Sequence, residues 1–268
     1  MRRGWLVPTI AVLGFAFLYA PIISLVVFSF NSNRLVTVWA GFSLNSYAAL
    51  FADSQMLGAA WLSLQIAAIS ASIALVLGTL CAVALVRFRR FRGRTVLQAT
   101  VSAPLVMPDV ITGLALLLTF VAMEALVGWP SGRGMLTIII AHATFCTAYV
   151  TVVVQSRLAD FDLSLEEAAM DLGASPVRVF FDITLPIIAP ALVSGWLLSF
   201  TLSLDDLVIA SFVSGPGSST LPMVIFSKIR LGVSPDVNAL ATIIIGFVAT
   251  GVLLATILQL RRPRGGRA

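Results

Sequence analysis

Apolar residues in this chain come in long unbroken blocks, without the alternation of a strand or the single stripe of a surface helix. Six blocks reach the roughly 20 residues that an α-helix needs to cross a bilayer: 6–30, 57–86, 97–127, 135–156, 187–213 and 238–260. They predict an all-α polytopic membrane protein, one transmembrane domain over 1–268 with six spanning helices, because a helix satisfies its own backbone groups in lipid. The first block is too long for the apolar core of a signal peptide and lacks a clear cleavage site, so it reads as a retained span.

One long polar interval interrupts this pattern at 157–186, with the sequence RLADFDLSLEEAAMDLGASPVRVFFDITLP. Ser164 stands three residues before Glu167, which predicts a capping box and a helix through Ala168, Ala169 and Leu172 that ends at Gly173. Ser175 and Pro176 have the cap and first-turn chemistry of a second helix, continuing over Val177–Ile183 until Leu185-Pro186 turns the chain. Two helices joined by a tight glycine turn, with small residues beside acids, make a shape that another protein can grip.

Composition agrees with the blocks: 59% hydrophobic and 11% charged residues, with mean hydropathy +1.02, exclude a soluble domain. The formal charge of +5 would suit an anionic partner, but its placement is that of topology. With six spans, Arg2, Arg3, Arg87, Arg89, Arg90, Arg92, Arg94, Arg157, Arg178, Arg261, Arg262, Arg264 and Arg267 fall on one side. Arg34, Arg133, Lys228 and Arg230 fall on the other. The positive-inside rule then places both termini and 157–186 in the cytoplasm, and the arginine-rich loop needs lipid, not nucleic acid, as its neighbour.

Within the spans the polar residues are few. Asp109 lies about 22 Å along a helix from the arginine cluster, where a carboxylate costs on the order of 3 kcal/mol and marks a functional position. Pro104 and Pro108 before it free backbone carbonyls that neighbouring helices or a cavity must satisfy. Asp205 and Asp206 read either as acids on a central path or as caps of a helix break before the Gly/Pro/Ser turn at 211–219. Adjacent helical residues point about 100° apart, so at most one of the two aims at such a path. Trp39 and Tyr47, beside a short amphipathic helix over 44–51, read as interfacial anchors or as aromatic faces offered to a cation at a pathway mouth. His142, the one histidine, reads as an interhelical hydrogen-bond partner, with proton relay as the other reading. Ala67, Ser70, Ala71, Gly78 and Ala82 permit close helix approach, and Cys81 and Cys146 fall inside spans as apolar packing. Lys228 has no Walker-type glycine frame, and no arrangement of nucleophile and base forms an active site, so the chain reads as no enzyme and no metal protein.

Glu167-Ala168-Ala169, three residues, Gly173, nine residues, Ile183, one residue, then Leu185-Pro186 matches the EAA loop of ABC-importer permeases at every fixed position. Tyr19-Ala20-Pro21, Ser29-Phe30-Asn31-Ser32, Val38-Trp39-Ala40-Gly41 and the stretches 103–113, 198–206 and 211–216 together resemble the polyamine branch of that family, the putrescine importers above all. The resemblance implies a type I ABC-importer permease fold in the bacterial inner membrane, with Glu167 to Pro186 docking on a cytoplasmic ATPase. It also implies two ATPase copies that hold ATP and Mg while this chain binds no cofactor, a homologous second permease and a periplasmic polyamine-binding protein. On this expectation Asp109 and Asp206, with Asp205 as the alternate, are acidic stations for a polyamine, with Trp39 or Tyr47 at the outer mouth. Two other readings are a permease of the same family for a different solute and an ion-coupled secondary transporter, for which broken helices and midplane acids would also be suited.

Overall fold

The computed structural model describes residues 5–33, 38–88, 90–231 and 235–261. Arg2, Arg3, Arg34, Arg89, Arg262, Arg264 and Arg267 of the charge argument lie outside them. The elements are all helical: α1 Leu6–Phe28, α2 Asn45–Ala52, α3 Ser54–Arg87, α4 Arg94–Val106, α5 Asp109–Val127, α6 Met135–Ala159, α7 Ser164–Asp171 and α8 Pro176–Val179. A π-helical turn at Phe180–Thr184 follows, then α9 Leu185–Asp205, α10 Val208–Val213, α11 Leu221–Leu231 and α12 Pro235–Arg261. Among the described residues the β pairing is a single bridge between Asn31 and Phe42. Among the described residues five helical stretches are long and apolar enough to cross a membrane, and α12 carries a shorter apolar stretch at Pro235–Thr250.

The expected third span is two helices, α4 and α5. Pro104 is carried inside α4, but Pro108 disfavours the helical conformation at Met107, which is extended at φ −80°, ψ 138°. The fifth span breaks as well, at Asp206, which leaves α9 with ψ 124°. At its start the chain behaves differently from the expected turn at Leu185-Pro186. Residues 176–205 run on as one helical stretch. Leu185 N–H reaches back to Phe180 O, and this wider π turn accommodates the proline that follows without a bend out of the helix.

Contacts gather in two compact units, Met1–Leu57 with Ile225–Ala268, and Gly58–Val224. In the first, α12 packs on α1 and α2. The loop after α1 is stitched by Asn31, whose amide donates to Val38 O at 2.7 Å and accepts from Ala40 N at 2.9 Å. The apolar stretch of α1 has none of its residues buried inside the chain, so its surface is left for lipid or another subunit.

The second unit is built on α6, the most buried of the long helices, against which α4, α9 and α10 pack. Small residues set its spacing. Ala67, Ser70, Ala71 and Ala82 of α3 are buried, and a Cβ on Gly78 would stand 2.6 Å from Val150 Cβ of α6. Cys146 is buried and donates to Ser199 O at 3.5 Å, and both cysteines are free thiols.

Candidate functional site

The polar interval folds as two short helices about Gly173, whose φ of +89° is a backbone conformation that glycine adopts without strain. Gly173 N–H bonds Met170 O at 2.9 Å and Ala174 N–H bonds Ala169 O at 3.1 Å, the paired closure of a Schellman C-cap. The capping box expected from Ser164 and Glu167 is not formed. Ser164 is the first residue of α7, and its N–H is taken by Asp162 Oδ1 at 3.0 Å, so a residue two places earlier does the capping. Hydrogen bonds from the Ser164 hydroxyl and backbone hold the Asp162 carboxyl below its usual 3.8. Ser175 caps α8 as expected, accepting from Arg178 N at 3.4 Å, with Pro176 at the first position.

Glu166 and Glu167 diverge in this unit. Glu166 Oε1 lies 2.6 Å from Arg87 at the end of α3 and accepts from Thr184 Oγ1 at 2.5 Å, while the Arg87 guanidinium also covers the Phe161 ring at 5.1 Å. Glu167, Ala168, Gly173 and Pro186 are exposed, and Ala169, Ile183 and Leu185 are half-buried. Leu172, at 91% exposure, and Val177 extend this surface with apolar area that the chain itself does not cover. An apolar cleft of about 560 Å³ lies between the end of α3 and this unit, lined by Leu80, Val83, Phe88, Met170, Val177 and Phe181 among others. Sequence reasoning missed Arg87, Glu166 and Thr184, and the one signal that could have found them is an acid doubled at the start of a two-helix unit.

The acids of the spans divide in the same way. Asp206 is turned inward: its two oxygens accept Ile209 N at 3.3 Å and Ala210 N at 2.7 Å, capping α10. His142 Nε2 stands 3.2 Å from Asp206 Oδ2, off the line of a hydrogen bond, and Nδ1 is 2.7 Å from Ser203 Oγ. Asp205 and Asp109 are exposed on the second unit. Both lead into one contact, because a Cβ on Gly113 of α5 would come within 3.3 Å of Ile209 Cα and 2.7 Å of the Phe212 ring of α10. Asp109 and Asp205 each precede that contact by four residues. A cleft of about 340 Å³ lies at the α4–α5 break, lined by Pro104, Met107, Thr112 and Thr144.

Trp39 and Tyr47 belong to the first unit and form an aromatic cluster there. Trp39 meets Phe28 edge-on at 6.4 Å, while Phe30 stacks on Phe42 at 5.4 Å and meets Tyr47 at 5.2 Å. The Tyr47 hydroxyl is spent on Ser29 Oγ at 2.8 Å, and Trp39 remains 49% exposed.

Several helices long and apolar enough to cross a membrane define a polytopic integral-membrane protein, and its relatives place it in the ABC-importer permease class. The chain belongs to the family described as binding-protein-dependent transport system inner membrane component, whose model matches residues 74–262. It is 60% identical over 264 residues to the putrescine transport system permease protein PotI of Escherichia coli K12, covering 98% of this chain and 94% of that protein. It is 45% identical to the spermidine/putrescine transport system permease protein PotC of Haemophilus influenzae, covering 91% and 92%. Among solved structures, a bacterial ABC transporter for import of alginate matches with TM-score 0.72 at 17% identity, covering 96% of this chain and 95% of that one. The MetNI methionine ABC transporter matches with TM-score 0.61 at 16% identity over 77% of this chain and 94% of that one, and both show a shared fold. The protein is thus a multi-pass inner-membrane transport subunit.

Proposed function

We propose that this chain is the permease subunit of an ATP-driven importer that moves a polyamine, putrescine above all, across the bacterial inner membrane. The observation that carries the reading is the exposed unit around Gly173, presenting Glu167, Ala168 and Leu172 while Glu166 anchors it to α3. Two copies of a cytoplasmic ATPase, holding ATP and Mg, supply the energy through this surface, and nucleotide acts by favouring one arrangement of the spans over another. A homologous second permease and a periplasmic polyamine-binding protein complete the complex, and the arginine distribution supports placing both termini in the cytoplasm.

Putrescine carries two ammonium groups, which cannot cross lipid without compensation. Asp109 and Asp205 are the acids whose exposure suits transient contact with it, whereas Asp206 is already engaged. Trp39 offers the better aromatic face, because the Tyr47 hydroxyl is held by Ser29. The test is uptake of radiolabelled putrescine into proteoliposomes holding the chain with its co-purifying subunits, after ion gradients are dissipated. ATP-dependent uptake, competed by other polyamines, is the expected result. Uptake that ignores ATP and follows an imposed gradient would instead make the chain a secondary transporter. In the same assay Asp109→Asn and Asp205→Asn lower the putrescine moved per ATP hydrolysed, and wild-type ratios in both would remove these acids from the path.

A further inference from the structure

His142 is buried in the first third of α6 and lies outside the two-helix unit. Its ring spans the break between α9 and α10. On the near side Nδ1 meets Ser203 of α9, and on the far side Nε2 faces Asp206, the residue at which the backbone leaves the helix. The carboxylate of Asp206 supplies what α10 lacks, since the first N–H groups of a helix have no acceptor within it. An acid used this way in a low-dielectric interior needs its remaining charge answered, and the imidazole is the group placed to do so, beside the same Oδ2 that takes Ala210 N–H. Ionisable groups near this acid include Asp205, its neighbour in the chain, and Cys146, one turn along α6 from His142.

We infer that His142 is a positioning residue of the transport path: by holding Asp206 as the cap of α10 it fixes the α9–α10 break and leaves Asp205 as the acid that faces the substrate. The inference rests on the reading of Asp205 as a pathway acid. Without the ring, Asp206 is free to rotate away from α10, and the segment that aims Asp205 moves with it.

The test compares the wild-type complex with His142→Ala, Asp205→Asn and the double variant in proteoliposomes, measuring putrescine moved per ATP hydrolysed. This ratio does not depend on how much complex assembles, so a merely structural role leaves it alone. His142→Ala and Asp205→Asn each lower it about tenfold, which corresponds to about 1.4 kcal/mol. In the double variant His142→Ala adds nothing to the loss from Asp205→Asn, because the two act through one carboxylate. Multiplying losses would overturn the inference while leaving Asp205 in the path. A wild-type ratio in Asp205→Asn would overturn both. Should His142→Ala fail to assemble, Ser203→Ala, which frees Nδ1, replaces it in the cycle with a smaller loss, and His142→Gln, which keeps a polar group facing Asp206, restores the ratio.

Discussion

Glu166 and Glu167 are neighbours in α7 with opposite duties, and the same split separates Asp206 from Asp205. Adjacent helical residues point about 100° apart, so one member of each pair turns inward to a partner and the other stays on the surface. Mutation therefore separates them. Glu167→Lys abolishes association with the ATPase while leaving the thermal stability of the permease unchanged, read by co-purification and by a melting curve. Lys228, the one lysine, bridges Asp53 and Asp236 at 2.5 Å each in the first unit. Burial works against its charge, but hydrogen bonds to Asp236 and Asp53 outweigh it and raise its pKa above the ordinary 10.5. The bond from Lys228 and the backbone N–H of Met56 hold Asp53 below 3.8. The sign follows from each direction. The lowered Asp53 contributes stability that is fully present above pH 3.8 and lost as pH falls through its folded value. The raised Lys228 contributes stability fully present below pH 10.5 and lost as pH rises beyond it. Amide protection of α11, corrected for intrinsic exchange, should hang flat between these limits and fall outside them, and Lys228→Met should remove about 2 kcal/mol of it at neutral pH.

Among the elements, the turn at Gly173 and the contact at Gly113 are set by backbone geometry. A β-branched residue at 173 must adopt the left-handed region, so Gly173→Val costs about 1–2 kcal/mol and weakens the hold of the ATPase. Gly113→Val pushes on both the Phe212 ring and the Ile209 backbone. It costs about 1–3 kcal/mol in the melting of the complex and separates α5 from α10. The sequence pattern placed the helices of the coupling unit but misread its joints. Proline after leucine resembles a stop signal, yet at Leu185-Pro186 a wider helical turn absorbs the missing donor. Serine three residues before glutamate resembles a capping box, yet Asp162 reaches the free N–H first.

For the whole molecule, the proposed function requires that work done at the two-helix unit reach the spans through rigid connections. The Arg87–Glu166–Thr184 network is one, since it ties α7 to the end of α3 and to the start of the fifth span. Arg87→Ala leaves Glu166 without its cation in a half-buried setting at a cost of about 2 kcal/mol. The expected signature is ATP hydrolysis that continues while putrescine uptake falls, measured together in one proteoliposome preparation. Hydrolysis and uptake falling in proportion would mean that the network only supports assembly.

The sequence by itself determined the solvent and the class of this protein. Blocks of apolar residues long enough to span a bilayer admit few folds other than a helical bundle, and the Glu167-to-Pro186 spacing is local enough to be read from neighbours in the chain. Only the tertiary structure decided where the third span breaks and which of two adjacent acids is free. Pro104 and Pro108 carry the same local signal, yet α4 passes through one and ends before the other. Asp205 and Asp206 are chemically identical, and what distinguishes them is packing: Asp206 caps α10 and lies 3.2 Å from His142, 64 residues away in sequence. Periodicity records which face of a helix is apolar, but the direction of a side chain at a break depends on the helix packed beside it.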